Sequence, residues 1–162
     1  MLKLPIKICL LIILLISTLS CYRGRIYDDK YTFDDYSWSK DETIKFDPEI
    51  TAQYAGKQYQ AVIHVRYITG FSYKFLNLGL LITRPDGSQG TKEISIQMLT
   101  EDKKYRGNGI GDIWDLDYQL SEPISFAEPG KYEIEIKSLM QDQTVNFINE
   151  IGMSLSEMKN SD

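Results

Sequence analysis

At 162 residues the chain has room for one domain with a sizeable core, and 23 acids against 18 lysines and arginines leave a net charge of −5. An acidic surface repels phosphate backbones, so nucleic acid is not an expected partner. Two cysteines and one histidine are too few for a disulfide framework or a typical zinc site, and neither a metal nor another cofactor is expected.

The chain opens with a basic head, Lys3 and Lys7, followed by an uncharged run from Ile8 to Leu19 that is nearly all Leu and Ile. A run of about a dozen apolar residues is short of the roughly twenty that span a bilayer. Head, run and the small residues Ser17, Thr18 and Ser20 together read as a cleaved secretory signal over residues 1–20. Cys21 follows at once. A cysteine in that place resembles the processing box of bacterial lipoproteins, where the thiol is lipidated and the new amino terminus acylated. An ordinary signal cut nearby is the alternative. Cys9 would leave with the signal, so a chain starting at Cys21 could form no internal disulfide. It would hold 16 bases against 23 acids, a net charge of −7. Acyl chains on Cys21 would anchor it to a membrane, each buried methylene adding about 0.8 kcal/mol.

Residues 21–40 read as a lipidated tether or edge segment. Tyr27, Tyr31, Phe33, Tyr36 and Trp38 are mixed there with Asp28, Asp29, Asp34 and Asp35. That is too aromatic for a solvated tether. The segment is expected to pack along the edge of the domain, or else to offer an aromatic surface to a partner.

From residue 41 to 158 the hydrophobic period is two, the signature of half-buried strands. Thr43 to Phe46 reads as the first strand. Tyr59, Ala61, Ile63, Val65 and Tyr67 share one face, with Gln60, Val62, His64 and Arg66 on the other. Leu76, Leu78, Leu80 and Ile82 form the next stripe. Arg84-Pro85-Asp86-Gly87 then predicts a turn, with Pro presetting φ and Asp-Gly accepting positive φ. Ile94, Ile96 and Met98 complete a hairpin. Trp114, Leu116, Tyr118 and Leu120 form another stripe. Pro129-Gly130 marks a turn before Tyr132, Ile134 and Ile136, and Ile151, Met153 and Leu155 point inward from a last strand. No window predicts an amphipathic helix. Short strands at regular spacing predict an all-β fold, an antiparallel two-sheet β-sandwich of jelly-roll or Ig-like kind, with a tail at 159–162.

Several stretches carry a family resemblance: Trp38-Ser39-Lys40-Asp41-Glu42-Thr43-Ile44-Lys45-Phe46, Tyr105-Arg106-Gly107-Asn108-Gly109-Ile110-Gly111-Asp112-Ile113, Phe126-Ala127-Glu128-Pro129-Gly130-Lys131-Tyr132, and Glu150-Ile151-Gly152-Met153. Together with the signal and Cys21 they resemble the GldH family of gliding-motility-associated lipoproteins of Bacteroidetes. The resemblance covers nearly the whole chain after Cys21. It implies a cell-envelope lipoprotein needed for surface gliding in motile members, with machinery coupled to a secretion system. It implies no enzymatic activity and no catalytic residues.

Among candidate sites, the glycine run suggests a phosphate loop. Such loops need a helix N-terminus, and the P-loop adds a Lys-Ser/Thr pair. Here Asp112 and an apparent strand follow Gly111. The better expectation is a long loop in which Gly107, Gly109 and Gly111 allow positive φ. Asp112, Asp115 and Asp117 invite a calcium reading, but Asp115 and Asp117 share a strand face and Asp112 does not. A solvated acidic face is expected instead. His64 reads as a surface histidine. A histidine-dependent triad could use no other, no Gly-x-Ser-x-Gly motif is present, and a pocket joining His64 to two carboxylates would be its sign.

The expected function is that of a non-catalytic interaction or assembly module. It would be held by lipid at Cys21, with another envelope protein as partner. The alternative is a glycan-binding lipoprotein that uses Trp38, Tyr105 and Trp114 as a platform for sugar rings. Tyr22, rather than an acid, follows Cys21, and Arg23 and Arg25 precede the first acids at Asp28 and Asp29. That pattern favours the outer membrane, facing the periplasm.

Overall fold

A computed structural model describes residues 24–158. The signal, Cys21 and the 159–162 tail lie outside them. Fourteen strands and no helix make up the described residues. In chain order they are β1 (Arg25–Thr32), β2 (Ser37–Ser39), β3 (Thr43–Phe46), β4 (Glu49–Ile50), β5 (Lys57–Ile68), β6 (Phe75–Thr83) and β7 (Gln89–Gln97). There follow β8 (Asn108–Ile110), β9 (Ile113–Gln119), β10 (Ile124–Phe126), β11 (Gly130–Lys131), β12 (Glu133–Ser138), β13 (Thr144–Asn146) and β14 (Ile148–Glu157).

The larger sheet runs β1-β14-β5-β9-β8, with β10 also paired to β5. The smaller runs β3-β12-β6-β7, and two-stranded ladders β4-β11 and β2-β13 sit beside them. Every ladder is antiparallel. The expected inward faces are the ones that meet: Tyr59, Ala61, Ile63, Val65 and Tyr67 of β5 and Ile151, Met153 and Leu155 of β14 lie in one core cluster with Leu76, Leu78, Ile134 and Ile136 of the opposing sheet. The chain is thus an all-β sandwich. Fully burying one such side chain contributes about 1.5–3 kcal/mol, and the sandwich depends on that packing.

The β6-β7 hairpin closes where the turn residues fall. Gly87 N donates to Arg84 O (2.9 Å), and Asp86 Oδ1 accepts from Ser88 N (2.8 Å). Residues 25–32 form β1, which pairs along its length with β14 as the edge strand of the larger sheet. The glycine run differs from the expected long loop. Asn108 to Ile110 form β8, hairpinned on β9 through the two-residue turn Gly111-Asp112. Of the three glycines only Gly107 (φ 100) and Gly111 (φ 62) are left-handed. At Gly107 a Cβ would come within 2.2 Å of the Asp115 carbonyl, a backbone approach that only glycine permits. Gly109 is extended. It leaves room for the Trp114 ring of its cross-strand partner, which a Cβ would meet at 2.8 Å.

Candidate functional site

The sequence-predicted site residues separate into two groups. Trp38 is not at the surface. It is fully buried, pairs with Val145 in the β2-β13 ladder, packs on Phe33 at 5.5 Å and donates from Nε1 to Glu42 O (3.1 Å). Tyr105, Gly107, Gly109, Gly111, Asp112 and Trp114 do gather, around the β8-β9 hairpin. Tyr105 and Trp114 are half-buried and lie against each other, centroids 5.1 Å apart at 37°. The Tyr105 hydroxyl accepts from Gly70 N (2.8 Å), and its ring also meets Tyr67 at 5.9 Å. Tyr67 in turn donates to Arg106 O (2.6 Å), and burial pushes its phenol up to about 12. These rings brace one another. A sugar platform of Trp38, Tyr105 and Trp114 is therefore not formed, since one ring is core and the other two cover each other.

The acidic face is solvated as expected, with Asp112, Asp115 and Asp117 all exposed, but two of the three carboxylates also carry cross-strand partners. On the outer face of the larger sheet, β5 alternation puts His64 and Arg66 outward, and register sets them beside Asp117 and Asp115. Arg66 grips Asp115 with two nitrogens (2.7 and 3.2 Å) and reaches Glu150 (3.3 Å), which also holds Lys30 (2.9 Å). The carboxylate of Asp115 raises the Arg66 guanidinium further above its ordinary range. Gly152 lacks a side chain in the middle of this face. The gap is an open depression of about 300 Å³ lined by Arg25, Asp28, Lys30, His64, Arg66 and Asp115 among others.

That depression joins His64 to two carboxylates, Asp115 and Asp117. It also brings in a residue that sequence reading missed. His64 Nδ1 lies 2.7 Å from Asp117 Oδ1, and Nε2 lies 2.7 Å from Ser154 Oγ. The composition is that of a Ser-His-Asp triad. Its setting is not that of an acyl-transfer site. Ser154 is 2% exposed and mid-strand, paired on one side with Asp28 and on the other with Val62. Backbone N–H groups there belong to the sheet ladders, so they do not form the preorganised pair an oxyanion needs. The Asp28 carboxylate opposite would oppose developing negative charge. The arrangement fits a hydrogen-bonded cross-strand network better. The missing signal was tertiary: nothing local in the sequence says that β14 lies beside β5. Among the described residues no group of three or more His, Cys, Asp or Glu is placed to hold a metal.

Residues 25–155 match the GldH lipoprotein family. Over 148 residues the chain is 25% identical to the gliding motility lipoprotein GldH homolog of Christiangramia forsetii, covering 87% of this chain and 89% of that protein. Likenesses among solved structures are distant. The VP2 subviral particle of infectious bursal disease virus gives a TM-score of 0.42 at 14% identity, over 83% of this chain and 33% of the viral one. The Eiger TNF from S. frugiperda gives 0.37 at 10% identity, over 86% and 96%. Scores this low carry no functional weight.

Proposed function

This chain belongs to the GldH lipoprotein family, and from that premise we propose that it is a non-catalytic interaction module tethered to the cell envelope by lipid at Cys21. The observation that supports this most is the extent of the family match. It runs from 25 to 155, through both sheets of the sandwich. The folded domain itself is then what the family shares, apart from any appended catalytic unit. The candidate triad favours the same reading, because its serine sits mid-strand with a register partner on either side, Asp28 and Val62. Tyr22 after Cys21, with arginines at 23 and 25, supports outer-membrane attachment on the periplasmic side.

The test is a crosslinked affinity pull-down of the full lipoprotein from its own membranes, beside a Cys21→Ala control. A specific envelope protein recovered with the native chain and lost in the control is the expected outcome. Recovery of no protein, or equal recovery from both, would remove the tethered-module reading. Protease shaving of intact cells that released the domain would overturn the periplasmic placement.

A further inference from the structure

The two ends of the larger sheet are unlike. At one end Arg25, Ser156 and Gln60 lie side by side. Arg25, four residues after Cys21 in the sequence, is where the chain enters the sheet. The opposite end lies eight residues further along β5, at Ile68, or about 26 Å away. There the adjoining turns are tied in a row. Ile148 N donates to Tyr36 O (3.1 Å), Ile68 N to Phe147 O (3.0 Å) and Thr69 N to Asp112 O (2.8 Å). Ile68 pairs with Ile113, and Ile113 with Ile110.

This row is apolar and in water. Ile110 is 85% exposed, Ile113 and Tyr36 46%, and Phe147 41%. Two of the four are also strained. Tyr36 (φ 56) and Phe147 (φ 67) are bulky L residues in the left-handed region, and the Phe147 ring lies so close to Gly70 that a Cβ there would meet it at 2.9 Å. Exposed hydrophobic surface and backbone strain are separate costs, and each is a mark of a contact site. Here they coincide. The exposed carboxylates of Asp34, Asp35 and Asp112 stand in the same turns.

We propose that this distal end is the docking surface for a protein partner that presents an apolar patch bordered by lysines or arginines. The inference rests on the interaction-module reading and gives that module its working surface. Charge chooses the occupant. Anionic lipid would be repelled by the three aspartates, and the surface stands at the far end of the sheet from where the chain enters it. A second copy meeting the same end across a two-fold axis would set these aspartates against their own counterparts.

The test places a photocrosslinking residue at Ile110 or at Tyr36 in the full lipoprotein, in its own membranes. A third probe sits at the exposed Thr91 of β7, on the other sheet. Adducts are mapped by mass spectrometry to the residue captured. The distal probes are expected to capture one envelope protein, at an apolar residue flanked by Lys or Arg. Thr91 is expected to give no such adduct. The double substitution Asp34→Lys, Asp112→Lys should cut the distal yield by about tenfold, with an unchanged circular dichroism spectrum. Adducts to lipid or to a second copy would overturn the inference, as would indifference to the charge reversal. Capture from Thr91 alone would also overturn it but leave the interaction module standing. Failure of all probes together with an empty pull-down would remove both.

Discussion

The outer face of the larger sheet and its distal end are built from the same strands, yet they treat water in opposite ways. On the face, Lys30, Glu150, Arg66, Asp115, His64, Asp117 and Ser154 answer one another across four strands. At the end, isoleucines and aromatic rings are left in solvent, and two backbones are held left-handed. A face whose charges are already paired has little to gain from a new contact. An end that keeps apolar surface wet has much to gain. The comparison places the working surface away from the residues whose types look most like chemistry.

The hardest way to break the comparison is to remove what supports the distal end. Trp38→Ala empties a fully buried site beneath the β2-β13 ladder and should cost about 3–5 kcal/mol. Urea unfolding followed by tryptophan fluorescence, which Trp114 still reports, measures it. A loss below about 1 kcal/mol would mean that the ladder is not part of the core.

A second test uses alkali. Burial pushes the phenols of Tyr67 and Tyr27 up to about 12, from an ordinary value of 10.0. A folded-state value above the unfolded one means that the folded state holds the proton more tightly. This stability is complete below about pH 10 and is lost as pH rises toward 12. The melting temperature should therefore fall steeply across that window. In Tyr67→Phe the fall should be shallower, on a neutral-pH stability lowered by about 1 kcal/mol for the lost bond to Arg106 O.

A smaller effect separates stability from docking. Phe147→Asn puts a residue tolerant of φ 67 where the backbone of a bulky residue is strained and should leave stability unchanged or raise it by up to about 1 kcal/mol, while distal crosslinking falls. Smaller still, Asp117→Asn removes an exposed negative charge beside His64 and should shift stability by no more than about 1 kcal/mol, with distal crosslinking intact.

Most of the sandwich was legible because alternation reports burial one strand at a time. Ile63 and Val65 point inward in any register that keeps β5 half-buried, and Pro85-Asp86-Gly87 fixes its hairpin locally. Strand neighbours were not legible. β14 begins eighty residues after β5 ends in the chain, and only their pairing sets Ser154 beside His64. Trp38 misled because a three-residue strand between two serines has no period from which to read a direction. The glycine run misled differently. Gly109 looked like a source of loop freedom, while its role is to make room for the Trp114 ring. The distal end was written in the sequence as Ile110, Ile113, Tyr36 and Phe147, but those residues are scattered along the chain and only the fold gathers them.

The most direct test compares reagent access in place. Single cysteines at Ile110 and Tyr36, and at Thr91 as the control, are reacted with maleimide in native membranes and again after purification. If the distal end is docked, the Ile110→Cys and Tyr36→Cys proteins will be protected in membranes and become reactive once purified, while Thr91→Cys labels equally in both. Equal labelling at all three positions in membranes would contradict the account.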